Sequence, residues 1–167
     1  MTAFNHFDEK GRVRMVDVTE KSASSRLARA QAVISMSPET FRALLSGDGP
    51  KGNALETARI AGIMAAKRTA DLIPMCHPLN LSHAAVDFYP DETAPSIRIE
   101  TSARVRDATG VEMEALTAAA VAALTLYDMC KAADRFMVIS DVQLLEKTGG
   151  KSGRHVRDKN DAHMRVD

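Results

Sequence analysis

Residues 82–107 read SHAAVDFYPDETAPSIRIETSARVRD, and the way this stretch folds decides the architecture around it. Apolar and polar residues alternate, with a period near two, on both sides of DETAP at residues 91–95, the pattern of two strands joined by a turn. A central hairpin is expected. Upstream, NALETARIAGIMAAKRTADL at residues 53–72 has few helix breakers and repeats small and aliphatic residues at helical spacing. Before it, Ser37, Pro38 and Glu39 supply an N-cap, an N1 proline and an early acid for a short helix that Gly47, Gly49 and Pro50 end. AQAVISM, near residues 30–36, alternates as a first strand. Downstream, EMEALTAAAVAALTLYDMCKAAD reads as a long helix and FMVISDVQLLEK as a last strand. The resulting order is βαββαβ, a ferredoxin-like α+β fold with helices packed on one face of an antiparallel sheet. One such domain is expected over residues 29–153, preceded by an extended arm over 1–28 and followed by a disordered tail over 154–167.

Composition narrows the setting. A chain of 167 residues that is 45% hydrophobic can bury one real core, and only 4% of it is aromatic, so small side chains and methionines must fill that core. Lys plus Arg and Asp plus Glu stand at 22 each, so no overall field recruits nucleic acid or an anionic membrane. The N-terminal stretch carries no apolar segment of signal-peptide length, and two cysteines, Cys76 and Cys130, make a poor disulfide framework. A reduced, cytoplasmic protein is expected. Between Glu114 and Asp128 the long helix is apolar or small nearly all round, on a run too short to span a bilayer, so a second subunit is expected on the side that the sheet leaves open.

Three groups of residues carry chemistry. In DLIPMCHPLNLSH, Pro74 and Pro78 fence Cys76 and His77 on a stiff connector that cannot continue the preceding helix. His77 is either a displayed reactive group or an ordinary hydrogen-bonded loop histidine, and Cys76 either a thiol in use or a small apolar filler. Glu112 and Glu114 open the long helix, while Asp128 and Lys131 close it, three residues apart and therefore able to pair. These are either a solvated ion pair and two acids suited to the helix dipole, or acid and base groups whose proton affinities are tuned by an apolar helix. The third group is cationic: Arg26, Lys51, Lys67, Arg68, Lys131, Lys147 and Lys151. Lys51 stands immediately before a helix N-terminus, where free N–H groups favour an anion. GGKSG at residues 149–153 is no Walker loop, because the glycine that pattern requires five residues before Gly150 is Leu145. Met75, Cys76, His77 and His83 lack a recognised metal-ligand spacing, so no metal site is expected.

Taken together, LIPMCHPL, KGNALETARIAGIMAAKRTADL, TGVEMEALTAAAVAALTLYDMCKA and KTGGKSG resemble the cyclic pyranopterin monophosphate synthases, the C protein family of molybdenum cofactor biosynthesis. The resemblance runs from MVDVT, beginning at Met15, through Gly153. It implies a homohexamer built as a trimer of dimers, with active sites at the dimer interface. It also implies a lyase reaction that turns 3′,8-cyclo-7,8-dihydro-GTP into cyclic pyranopterin monophosphate and releases pyrophosphate. No redox cofactor is implied, and whether Mg²⁺ accompanies the pyrophosphate is left open. By the same resemblance, Met75, Cys76, His77, Met113 and Glu114 contact substrate and Asp128 is the main catalytic residue. Lys51, Lys131 and Glu112 join it in proton transfer, and Arg26 and Lys67 help hold the triphosphate. A non-catalytic ligand-binding module would need the cations without the acid and base pairs, and a metal carrier would need Cys76 and His77 as ligands.

Overall fold

The computed structural model describes residues 6–8, 10–47 and 52–158. The chain order is β1 (Ser24–Ser35), α1 (Pro38–Ser46), α2 (Ala54–Ala66), α3 (Thr69–Leu72), β2 (His83–Asp91), β3 (Ser96–Asp107), α4 (Glu112–Cys130), β4 (Val138–Thr148) and β5 (His155–Val156). The strands form one sheet in the order β2-β3-β1-β4-β5, each neighbouring pair antiparallel. β1 lies between β3 and β4 because each helical crossover skips one position, which gives the split βαβ pairs of a ferredoxin-like α+β fold.

The hairpin forms where the alternation places it. The Asp91 carboxylate accepts the Thr93 N–H at 2.9 Å and the Thr93 hydroxyl at 2.6 Å, and this turn sets the register that pairs Phe88 with Ile99. On β3, Ile97, Ile99, Thr101, Ala103 and Val105 are buried, while Arg98, Glu100, Ser102 and Arg104 point to the other face. β1 answers with Ala28, Ala30, Ala32 and Ile34, and these short side chains let α4 lie close across β1, β3 and β4. α2 packs on β2 and α4 at Gly62, where a Cβ would come within 2.9 Å of Val86 Cγ2 and 3.0 Å of the Ala118 carbonyl oxygen. α1 is capped as expected, with Ser37 Oγ accepting the Thr40 N–H at 3.3 Å and Gly47 left-handed at φ 74.

The structure corrects four expectations. β1 begins at Ser24 rather than near residue 30, so Arg26 and Arg29 sit on a strand and not in the arm. Its first turns read as polar because β3 covers them through main-chain pairing, Ser24 opposite Asp107 and Arg26 opposite Val105, which needs no apolar side chains. The helix expected over 53–72 breaks after Ala66, where the buried Thr69 hydroxyl reaches back to the Ala65 and Ala66 carbonyls at 3.3 and 3.1 Å. Part of the expected tail is a strand: His155 and Val156 pair with Lys147 and Glu146, while residues 159–167 lie outside the described residues. Finally, α4 is, at 19 residues, long and apolar enough to cross a membrane by length and composition; here it serves as the core helix of the sheet, with Ala115, Ala119, Ala122, Ala123 and Leu126 wholly buried.

Candidate active site

α4 starts where β3 ends, and Thr101 of β3 fixes that start by donating its buried hydroxyl to the Ala115 carbonyl at 2.7 Å. The first turn of α4 therefore faces the proline-fenced connector. Between them lies a cavity of about 370 Å³ lined by Met75, Cys76, His77, Glu112, Met113 and Glu114. The chain before β1 closes its remaining side through His6, Val16, Val18 and Lys21. His77 is held from that side, its Nε2 2.8 Å from the Val16 carbonyl oxygen.

Two acids on adjacent sides of this helix end are tuned in opposite directions. Glu114 is only 4% exposed; burial raises its carboxyl to about 7, and the charge on Glu112 adds to the rise against a hydrogen bond from its own main-chain N–H. For Glu112 burial also opposes ionisation, but Lys147 overrides it: Nζ donates to Oε1 at 2.9 Å, and the charges of Lys147 and Arg26 hold the carboxyl below its ordinary value. One carboxyl thus stays ionised while its neighbour exchanges a proton near neutral pH. Burial, then the Glu114 charge, pushes the Cys76 thiol up, so Cys76 remains a thiol.

Behind Glu112 a second hollow of about 110 Å³ is lined by Arg26, Glu112, Lys147 and Gly149. Arg26 reaches it from β1, donating from Nε to the Asp107 carbonyl at 3.4 Å and from Nη2 to the Ala108 carbonyl at 3.1 Å. GGKSG folds against this guanidinium. A Cβ on Gly150, at φ 73, would stand 1.7 Å from Arg26 Nη1, and one on Gly149, at φ 97, 2.2 Å from the Ser25 carbonyl oxygen. The glycines of that run make room for Arg26; Lys151 itself is exposed.

The structure does not bring every expected residue to this cavity. Asp128 and Lys131 pair at 2.6 Å at the far end of α4, both largely exposed, and the hydrogen bond and charge of Asp128 raise the Lys131 ammonium above its ordinary value. Fourteen residues at about 1.5 Å each put their helix end roughly 21 Å from Glu114. Lys67 caps α2 and is exposed, outside the lining of both hollows, and Lys51 lies outside the described residues. Lys147 stood in the cationic group without a role, and Val16, Val18 and Lys21 had none; the one signal for Val16 and Val18 was the MVDVT motif, which says nothing of what it covers. Among the described residues no three His, Cys, Asp or Glu side chains converge as metal ligands would, and His83 instead lies 3.3 Å from the Ser102 hydroxyl.

Two comparisons with known proteins bear on this geometry. A family model described as the MoaC family matches residues 15–150. The chain is 60% identical over 158 residues to a cyclic pyranopterin monophosphate synthase of Desulfatibacillum aliphaticivorans, covering 95% of this chain and 99% of that protein. It is 56% identical to proteins of the same name from Methylobacterium sp. (strain 4-46) and Roseiflexus sp. (strain RS-1), again over 95% of this chain and over 99% and 100% of those proteins.

Proposed function

This chain belongs to the MoaC family, and on that premise we propose that it is a cyclic pyranopterin monophosphate synthase, a lyase of molybdenum cofactor biosynthesis. Its substrate is the nucleotide-derived 3′,8-cyclo-7,8-dihydro-GTP. Its products are cyclic pyranopterin monophosphate and pyrophosphate. The observation that carries the reading is the pair Glu112 and Glu114, two carboxyls lining one cavity with proton affinities driven apart. A rearrangement of guanine and ribose into a pyranopterin consists of successive proton transfers, and a carboxyl that ionises near neutral pH beside one that stays ionised can carry such steps in both directions.

Glu114, near 7, accepts and returns protons, while Glu112, kept ionised by Lys147, keeps a negative charge beside it that favours positive charge on the ring system. His77 and the Met75 and Met113 side chains hold the ring system against them. Closure of the cyclic phosphate then forms one P–O bond from a substrate hydroxyl to the α-phosphorus and breaks the bond to the β-phosphate, whose oxygen leaves with the electron pair as pyrophosphate. Arg26 and Lys147, side by side behind Glu112, suit the charge on that leaving group. No resident cofactor is needed for steps of this kind.

Asp128 and Lys131 enter this scheme from a second copy. The outer surface of α2 and α4 exposes Ile60, Met64 and Leu124, an apolar face that a two-fold partner would cover, with its antiparallel α4 bringing Asp128 and Lys131 beside Glu114. Lys51, which precedes α2 in sequence, takes part in proton transfer by the family resemblance alone. Three such dimers make the homohexamer that this reading includes, and a GTP-derived substrate assigns it to the cytoplasm. The test is incubation of purified protein with 3′,8-cyclo-7,8-dihydro-GTP. Cyclic pyranopterin monophosphate and pyrophosphate should appear in equal amounts, and a chain that binds the substrate without releasing pyrophosphate would be a binding module instead.

A further inference from the structure

His77 touches the chain before β1 through one atom pair, Nε2 and the Val16 carbonyl oxygen, 2.8 Å apart. A carbonyl only accepts, so Nε2 must carry the proton. In the neutral ring Nδ1 is then the bare nitrogen, and among the described residues it has no hydrogen-bond partner, although His77 lines the cavity. The direction of the Val16 carbonyl is itself held. The next residue, Asp17, turns its carboxylate onto the Thr19 N–H at 2.9 Å and the Thr19 hydroxyl at 2.7 Å, fixing residues 17–19 directly after the Val16–Asp17 peptide and ahead of the turn at Thr19 and Glu20. Upstream, Phe7 bridges to Val13 and the Arg14 N–H donates to the His6 carbonyl at 2.9 Å, so the segment also carries a local turn before Val16.

We propose that Asp17 is a positioning residue: through its turn with Thr19 it aims the Val16 carbonyl at His77, locks the Nε2–H tautomer, and leaves Nδ1 as the nitrogen that accepts a proton or hydrogen bond from the substrate. The tautomer stands without any assumption about the reaction. Its consequence for turnover rests on the synthase reading.

The experiment labels the full-length protein with ¹⁵N-histidine and records the His77 ring at about pH 8.5, roughly two units above the ordinary imidazole value. Wild type should show a pyrrole-type Nε2 and a pyridine-type Nδ1. Asp17→Ala should average the two shifts and lower kcat roughly three- to tenfold with KM changed less than about twofold, the size of a lost neutral hydrogen bond. Asp17→Asn, which keeps the accepting oxygen, should restore both. Replacing the Val16–Asp17 amide by an ester weakens the same carbonyl without touching a side chain and should act as Asp17→Ala does. A pyrrole-type Nδ1 in wild type overturns the proposal, and so does a fall in kcat with the His77 shifts unmoved. Failure of wild type to convert the GTP-derived substrate would sink the synthase reading while the ring shifts still decide the tautomer.

Discussion

The two ends of α4 hold acids in opposite surroundings. At the N-terminal end Glu114 is buried against a cavity, its neighbour Glu112 is bound by Lys147, and the connector and arm close over both. At the C-terminal end Asp128 and Lys131 pair in solvent, their side chains 60% and 54% exposed, where water screens the interaction. The contrast teaches that residue type alone does not make a catalytic group. An acid becomes one where water is excluded, and at the far end the described residues do not exclude it.

The sharpest way to break the comparison is to remove the exposed end. Lys131→Ala should cut turnover by about 10²–10⁴-fold, measured as pyrophosphate release, with the circular dichroism spectrum and oligomer size unchanged, and Lys51→Ala, a position expected in the proton-transfer set from the family resemblance, should do the same. Near-normal rates would mean the solvent-exposed pair is only a surface ion pair. Next in size is a recovery. Glu114→Ala and Asp128→Ala proteins should each be inactive, and subunit exchange between them should restore roughly a quarter of wild-type activity, since about half the dimers are mixed and each mixed dimer has one intact site. Formation of mixed dimers with no activity would place both residues' work within one subunit.

A third prediction sharpens the buried end through pH. Because the Glu114 carboxyl is raised from 4.5 to about 7 by burial, its neutral form suits the fold; stability from this group is complete below about pH 4.5 and is lost as pH rises through 7. Glu114→Gln, permanently neutral, should therefore match wild-type stability near pH 4.5 and exceed it near pH 9 by at most about 3 kcal/mol in urea unfolding. Equal stability at both pH values would show that Glu114 is solvated after all. The smallest effect is expected at Cys76. Its thiol is pushed up by burial and by Glu114, so no thiolate takes part, and Cys76→Ser should retain activity within a few-fold of wild type. Complete loss in a folded variant would point to covalent or metal chemistry at that sulfur.

Much of this was legible along the chain. Period-two alternation on both sides of DETAP, Ser37 and Pro38 at the head of α1, and the unbroken apolar run of α4 are local signals, so strand, cap and helix followed from neighbouring residues. The proline fence around Cys76 and His77 and the acids at both ends of α4 likewise named the candidate groups. The start of β1 was hidden, because SSRLAR is held by main-chain pairing to β3 some eighty residues later and carries little pattern of its own. β5 was hidden for the same reason.

What the sequence by itself determined is the set of elements, their order and the reactive residues, since each depends on dihedral preference and side-chain spacing within a few residues. Only the tertiary structure decided which of those residues share a cavity and what charge each carries there. Glu112 and Glu114 are two positions apart, yet one is held ionised by Lys147, 35 residues away, and the other is raised toward neutrality by burial. His77 takes its tautomer from Val16, 61 residues away. Proton affinity is set by desolvation and by through-space partners, and neither exists until the sheet, α4 and the arm have come together.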